Sequence, residues 1–249
     1  MDAPWIATAV AVALLVATAT VALAFLRVPG SWEPAVAILR AAVQLALLSL
    51  VLSVVITDPL WVAIGLVVML LAAIGTAARR ARTPARGLLP LAAAMALGPA
   101  VVLAIAFGTT ALALEPRYAL ALGGIVIGNT MTIAVLTQRI YRATVFDHWD
   151  EVEGWLALGA TRWQSTRDLA RASIRTALLP SLDQTRTTGI VVLPGAFVGA
   201  VFAGASPLEA GRFQLIVLAG VLAAGALTST TLVRLGGGFA TKPESAAVR

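Results

Sequence analysis

Long apolar runs separated by short polar segments make up most of this chain. A spanning helix needs about 20 mostly apolar residues, and about seven segments of that kind occur. They lie near residues 5–27, 36–57, 60–78, 88–108, 118–139, 187–205 and 212–234. Their apolar residues are continuous rather than alternating, and a continuous segment in lipid must satisfy its own backbone hydrogen bonds, which favours helices. The sequence therefore predicts an all-α integral membrane protein with about seven transmembrane helices.

The composition supports the same class. Of 249 residues, 59% are hydrophobic and only 12% are charged. A soluble domain of this length cannot bury so much apolar surface, so lipid is the solvent for most of the chain. We predict one transmembrane domain over residues 1–235 and a flexible, polar cytoplasmic tail over 236–249. The absence of cysteine excludes a disulfide framework and thiolate metal ligands.

The net charge of +6 is distributed by membrane side. Arginines are concentrated after spans three and five, whereas the opposite loops hold two arginines beside several acids. The first group contains Arg79, Arg80, Arg82, Arg86, Arg139, Arg142, Arg162, Arg167, Arg171, Arg175 and Arg186. The positive-inside rule then places the N-terminus outside and the C-terminus in the cytoplasm. The excess of arginines therefore indicates membrane topology. We predict that these charges face the lipid bilayer and do not bind nucleic acid.

Residues 141–186 form a cytoplasmic insertion that is long compared with ordinary helix connections. An apolar stripe that begins at Trp149 and Val152 predicts a short amphipathic helix, which Gly159 would end. The capping-box spacing of Thr161 and Gln164 predicts a second helix from about Arg162. Pro180 should end or kink that helix.

This insertion has two physical interpretations. Arg167, Arg171 and Arg175 recur every fourth residue, which gives the second helix one basic face. The unit could lie on the membrane surface with its arginines toward anionic headgroups. Alternatively, it could be a docking element for a soluble partner.

Several motifs in order resemble one family. Glu153-Gly-Trp-Leu-Ala-Leu-Gly159-Ala resembles the coupling-loop motif of ABC transporter permeases. The further motifs are Gly128-Asn-Thr-Met131, Glu151-Val-Glu153, Leu158-Gly-Ala160, Leu179-Pro180, Leu193-Pro-Gly195 with Gly199, Ala203–Ala210 and Phe213-Gln214. Together they resemble the FetB-type iron export permeases, a family that includes the aluminium-tolerance permeases of plants.

This resemblance implies a permease subunit that forms a homodimer and binds two copies of a separate ABC ATPase subunit through the 149–160 helix. The coupling residues that it implies are Asp150, Glu151, Glu153, Trp155, Gly159, Ala160 and Trp163. The chain has no G-x-x-x-x-G-K-[ST] motif, and its one lysine is Lys242. We therefore expect a transport subunit without catalytic residues or a bound cofactor, with ATP and Mg²⁺ on the partner subunit.

Polar groups and helix breakers within spans are candidates for a translocation path or gate. They are Arg40, Gln44, Asn129, Thr132, Asp183, Pro194 and Gly195. An amide at membrane depth must be satisfied by protein or water, so Asn129 could line a path or form an interhelical hydrogen bond. Likewise, Arg40 could snorkel, Asp183 could pair with Arg186, and Pro194 could make a plain packing kink in span six. The metal ligands are unknown.

Three functions remain open. The first is an ABC exporter of iron or another metal ion in a bacterial cytoplasmic (inner) membrane. The second is an ABC permease for a sugar nucleotide or other small metabolite. The third is an ATP-independent secondary carrier or a membrane scaffold, although the spans carry few of the buried ionisable residues through which carriers couple.

Overall fold

The computed structural model describes residues 3–55 and 58–244, and the regular structure within those ranges is helical. This confirms the all-α membrane class. The chain divides into two compact units, Met1–Ile56 and Thr57–Arg249. The single domain over 1–235 stays a prediction.

The first unit is a pair of helices that pack against each other, α1 (Ala3–Phe25) and α2 (Glu33–Val55). Residues 26–32 connect them, and Gly30 takes a positive φ of 78° in this turn. Apolar side chains such as Leu14 and Leu15 are exposed along α1, as expected of a surface that contacts lipid. Both helices occupy predicted spans; the end of the second span, residues 56–57, lies outside the described residues.

The second unit contains the remaining helices. They are α3 (Pro59–Arg80), a short 3₁₀ turn (Ala85–Gly87), α4 (Leu88–Gly108), α5 (Pro116–Asp147), α6 (Trp149–Ala157), α7 (Arg162–Thr187), α8 (Gly195–Phe202) and α9 (Pro207–Gly236). Five helices in the described residues, α1, α3, α4, α5 and α9, are long and apolar enough to cross a membrane. The 3₁₀ turn directly precedes α4 in the third of these spans.

Local capping explains where several helices begin. Asp58 accepts a hydrogen bond from the Leu60 N–H at the start of α3. The predicted capping box of Thr161 and Gln164 is present and confirms the start of α7 at Arg162. A second capping box, formed by Ser206 and Glu209, begins α9. Each box satisfies backbone N–H groups that would otherwise lack a partner in the first turn.

Two helices are longer than predicted. α5 continues past Arg139 to Asp147, so Arg139 does not lie at a helix end. Its guanidinium donates to the backbone carbonyl of Arg80 on α3. Likewise, α7 continues through Pro180 to Thr187. A proline removes only one backbone hydrogen bond of the helix ladder, so the bonds on either side can sustain the helix.

The predicted sixth span at 187–205 is wrong. Residues 188–194 are not helical, and Gly189 takes a positive φ of 85° there. Pro194 then caps α8 rather than kinking a long helix. α8 has 8 residues, a length of about 12 Å, whereas the hydrocarbon core is about 30 Å thick.

Close backbone contact joins α9 to α4 at the centre of the second unit. Gly98, halfway along α4, lies so near α9 that an added Cβ would be 2.8 Å from the carbonyl oxygen of Ala224. The Thr228 hydroxyl donates to the Ala94 carbonyl at 3.1 Å across the same contact. Small residues allow membrane helices to approach in this way.

The helix α7 lies alongside these spanning helices instead of staying in a peripheral loop. A Cβ added to Gly225 of α9 would lie 3.1 Å from the Leu178 side chain of α7. Gly225 follows Ala224, which contacts Gly98, so Leu178 is level with the middle of α4. At 1.5 Å per residue, α7 reaches this level about 24 Å from its start. The structure thus corrects the prediction that all of 141–186 is an insertion outside the bundle.

We predict that Gly98→Ala destabilises the protein by about 1–3 kcal/mol, because the new Cβ meets the α9 backbone and the helices must separate. The matched control is Gly108→Ala in the same helix, where no atom lies within 4 Å of the added Cβ. The control should be neutral or slightly stabilising, since alanine favours helices over glycine. Thermal unfolding in detergent measures both; equal stability of the two variants would contradict the close contact.

Candidate functional site

The short helix α6 has one face inside a hydrophobic cluster. Val152 is fully buried there. The other buried members are Tyr141 and Val145 of α5, Ala170 of α7 and Val233 of α9. Trp149 and Leu156 of α6 pack against the same cluster. The buried face of α6 thus belongs to a cluster that includes residues of α5, α7 and α9.

The opposite face of α6 is acidic and aromatic. Asp150, Glu151 and Glu153 are exposed, and the first two lie in the first turn, where the helix dipole favours negative charge. Trp155 is 51% exposed and Leu158, the C-cap residue, is 82% exposed. Large apolar side chains beside charges on an exposed helix are typical of a protein contact surface. We call Asp150, Glu151, Glu153, Trp155 and Leu158 the α6 surface.

The turn after α6 connects this surface to α7. Gly159 has a positive φ of 88°, which confirms its predicted role as a helix stop. Ala160 is half-buried. Trp163 is half-buried too, with the Arg234 guanidinium of α9 4.7 Å from its ring centroid. Of the predicted coupling residues, five are therefore exposed, whereas Ala160 and Trp163 belong to the junction with the bundle.

Buried polar contacts link α7 to α5 close to this junction. The Tyr141 hydroxyl of α5 donates to the Thr166 hydroxyl of α7 at 2.8 Å, and both residues are buried. Ser173 of α7 is 3.4 Å from the Thr144 hydroxyl of α5. Buried hydrogen bonds of this kind fix the relative position of the helices that share them. These contacts therefore hold α7 against the last part of α5.

The buried and the exposed residues of α7 differ in size and polarity. Its buried residues are small: Ser165, Thr166, Ala170, Ser173 and Ala177. Polar residues are exposed at intervals along its length: Asp168, Arg171, Arg175, Thr176, Asp183, Gln184 and Arg186. We call these exposed residues the α7 polar stripe.

The polar stripe extends to the depth of the membrane-spanning helices. Charged groups at that depth face protein or water rather than lipid, because transfer into hydrocarbon is costly. The stripe contains ion pairs between Asp168 and Arg171 at 2.8 Å and between Asp183 and Arg186 at 3.3 Å, the second of which the sequence analysis anticipated. Arg175 makes no ion pair with any described residue. Asp183, a predicted path residue, is thus part of a larger polar surface.

The other predicted path residues lie on three different helices: α5, α2 and α8. Asn129 is half-buried and donates to the Ile125 carbonyl of its own helix at 2.9 Å, while Thr132 is within 3.3 Å of the Gly128 carbonyl. Arg40 and Gln44 are exposed in the first unit. Pro194 and Gly195 start α8.

α8 lines a cavity of about 810 Å³ at the α4–α5 connection, which the sequence analysis missed. Its lining includes Glu115, Arg117, Tyr118, Ala200, Glu209 and Phe213. The Tyr118 and Phe213 rings lie 5.8 Å apart. The signal available in the sequence was an acid close to a proline at the start of two spans, Glu115 before Pro116 and Glu209 after Pro207. Both carboxylates are engaged, the first with Arg117 and the second with Ser206.

Within residues 3–55 and 58–244, no group of three or more His, Asp or Glu residues could hold a metal ion.

Three relatives share long stretches of this sequence. The rice protein "UPF0014 membrane protein STAR2" (Oryza sativa subsp. japonica) is 35% identical over 220 residues, 87% of this chain and 77% of that protein. "Protein ALUMINUM SENSITIVE 3" of Arabidopsis thaliana is 30% identical over 194 residues, 77% of this chain and 71% of that protein. "Probable iron export permease protein FetB" of Escherichia coli (strain K12) is 29% identical over 153 residues, 61% of this chain and 59% of that protein.

No solved structure is a significant match to the chain. The family described as "Uncharacterised protein family (UPF0014)" matches residues 5–238, nearly the whole chain. These similarities confirm the resemblance drawn from the motifs. The chain is a multi-pass membrane protein that belongs to the UPF0014 family.

Proposed function

We propose that this chain is the permease subunit of an ABC exporter, a homodimer that two copies of a separate ATPase subunit drive by binding the α6 surface. The observation that carries this proposal is the two-faced α6: its acidic and aromatic face is exposed, and its other face is packed on α5, α7 and α9. An isolated membrane-surface helix would place its apolar side chains in lipid and would need no such attachment to the spanning helices.

The α6 end of the second unit is the cytoplasmic end in this proposal. This end carries Arg79 and Arg80 in the last turn of α3, Arg86 of the α3–α4 connection and Lys242 after α9. The opposite end carries Glu115, Glu209, Arg117 and Arg212, which line the α8 cavity. The positive-inside rule assigns the arginine-rich end to the cytoplasm, where ATP is available. The similarity to the E. coli protein supports a bacterial cytoplasmic membrane as the location.

Motion would pass from α6 to α7 across the Gly159 turn. The connection contains few residues between α6 and α7, and Trp163 anchors the start of α7 to Arg234 of α9. In the homodimer the α7 polar stripes of the two copies would line a water-filled path, which removes the cost of charged groups at membrane depth. Displacement of α7 by the ATPase would then alter access to that path.

ATP and Mg²⁺ bind the partner subunit in this proposal, because the chain lacks the phosphate-binding motif that nucleotide hydrolysis requires. Iron or another metal ion is the proposed cargo. Its support is the name of the E. coli relative, "Probable iron export permease protein FetB". A purified complex tests this cargo directly, since transported metal should stimulate ATP hydrolysis.

We predict that the double variant Glu153→Arg, Trp155→Ala loses the ATPase partner. Removal of an anchoring aromatic and reversal of an adjacent charge should weaken binding at least about thirtyfold, or about 2 kcal/mol. Both residues are exposed, so the variant should still insert and fold. Quantitative co-purification from native membranes measures the loss.

Glu244→Arg is the matched control for this docking experiment. It makes the same charge reversal at an exposed residue that lies outside α6. The control should retain the partner. Undiminished ATPase recovery with the double variant would show that the α6 surface is not the docking site.

We also predict that the α7 polar stripe is in contact with water inside the membrane. The chain has no cysteine, so a single introduced thiol can be labelled without background. Thr176→Cys and Gln184→Cys should react with a hydrophilic, membrane-impermeant maleimide at least about tenfold faster than Leu97→Cys, because thiolates form in water and not in lipid. Leu97 is exposed next to Gly98 and so provides a control at similar depth. Equally slow labelling at all three positions would contradict a water-filled path.

A further inference from the structure

A second cavity of about 480 Å³ lies at the α6 end, apart from the α6 surface and the α7 polar stripe. Its walls come from the α3–α4 connection, α5, the start of α7 and the end of α9 with the segment that follows it. The polar lining residues are Thr83, Arg86, Thr137, Gln138, Tyr141, Arg142, Arg162 and Thr241. The volume is within the range of small-molecule sites in proteins. We call this cavity the arginine pocket.

The pocket is strongly basic. Arg86, Arg142 and Arg162 line it, and no carboxylate among residues 58–244 does so. None of these three forms an ion pair within the described residues. Glu244 attracts Arg142 from the segment beyond the pocket, without the short contact of an ion pair. Three arginines without an ion-pair partner in one cavity lining favour an anionic ligand.

Arg142 is held in place for such a ligand. It is half-buried, and its Nη1 donates to the backbone carbonyl of Ala81 at 2.7 Å and of Arg82 at 3.3 Å. These bonds use one of the guanidinium nitrogens. The remaining nitrogens are available to bind an anion, and little side-chain freedom is lost on binding.

Unsatisfied polar groups lie at the base of the pocket. Gln138 is 8% exposed, and its Oε1 accepts a hydrogen bond from Thr83 at 2.8 Å. Its Nε2 finds no acceptor among the described residues. The neighbouring Thr137 hydroxyl is fully buried and equally without a partner in that part of the chain. Buried donors without acceptors are rare in proteins, and two of them belong to residues that line this pocket.

The wall formed by the chain after α9 is closely packed. Gly238 takes a positive φ of 78°, and an added Cβ would be 2.8 Å from the Thr166 hydroxyl. Phe239 packs edge-on against Tyr141 with the ring centroids 5.2 Å apart. Lys242 lies over the Phe146 ring. The first part of the tail, predicted to be flexible, therefore forms a defined wall of the pocket; residues 245–249 lie outside the described residues.

We propose that the arginine pocket binds a phosphate-bearing anion. The phosphate accepts hydrogen bonds from Arg86, Arg142 and Arg162, which line the pocket. Arginine matches the geometry of phosphate oxygens with paired N–H donors. The phosphate has two possible sources, an anionic phospholipid headgroup or a soluble phosphate, because basic pockets between helices at a cytoplasmic surface bind such headgroups.

The test uses the purified full-length protein in neutral detergent without ATPase or ATP, so its result is independent of the proposed transport function. One arm titrates inorganic phosphate by calorimetry. The other adds phosphatidylglycerol or phosphatidylcholine and counts bound lipid by native mass spectrometry. Binding of phosphate alone identifies a soluble ligand, and selective retention of one phosphatidylglycerol identifies a lipid; either result supports the site.

The diagnostic variant is Arg86→Gln, Arg162→Gln, which leaves the structural hydrogen bonds of Arg142 intact. It should bind the preferred ligand about thirtyfold more weakly, at about fivefold per arginine. The control, Arg79→Gln with Arg80→Gln, makes the same charge change at exposed arginines outside the pocket and should bind within about twofold of the parent. The proposal is overturned if the parent binds neither probe, or if the two variants lose the same affinity.

Discussion

The close contact of α9 with α4 and α5 is the constraint on which the second unit depends. Lipid solvates apolar side chains about as well as protein does, so membrane helices gain little from burial alone and rely on close packing. Gly98 and Gly225 permit that packing, and the Thr228 hydroxyl adds a hydrogen bond to the Ala94 carbonyl. The contact holds α4, α5 and α9 together, and α6 and α7 share a hydrophobic cluster with α5 and α9.

This arrangement connects the exposed α6 surface to α7, the helix that carries the polar stripe, through a short turn. Val152 places α6 in the cluster shared by α5, α7 and α9, while Trp155 stays exposed. Four residues separate Ala157, the last residue of α6, from Arg162, the first residue of α7, and α7 brings charged residues to membrane depth. Force applied to the α6 surface would therefore act on the helix whose polar stripe we propose as the path. The arginine pocket uses the same end of the bundle but different side chains, so a ligand there could bind without occupying the α6 surface.

Much of the fold could be predicted because its signals are local. Continuous apolar runs located α3, α4, α5 and α9, and the spacing of Thr161 and Gln164 located the start of α7. The sixth span failed because its apolar run contains Gly189 and Pro194, which break the helix. α7 was assigned to a peripheral insertion because its exposed face is polar, although its buried face of small residues packs inside the bundle. Average hydropathy cannot separate those two faces.

The candidate site was predictable only where it is continuous in sequence. The α6 surface falls within one short segment, so its charges and tryptophan could be recognised together. The α8 cavity and the arginine pocket combine residues far apart in the chain, such as Arg86, Gln138 and Arg162. Their association depends on helix packing, which no local motif specifies. The two orphan polar groups at Thr137 and Gln138 could be identified only once burial was known.

Photocrosslinking from position 155 in native membranes tests the central claim most directly. A photoreactive amino acid replaces Trp155 on the α6 surface, and a second protein carries it at Leu215, an exposed apolar position of α9. The account predicts an adduct from position 155 with a soluble protein that contains a nucleotide-binding Walker motif, and no such adduct from position 215. Crosslinking of position 155 only to lipid, or to no ATPase, would contradict the assignment of α6 as the element that couples ATP hydrolysis to transport.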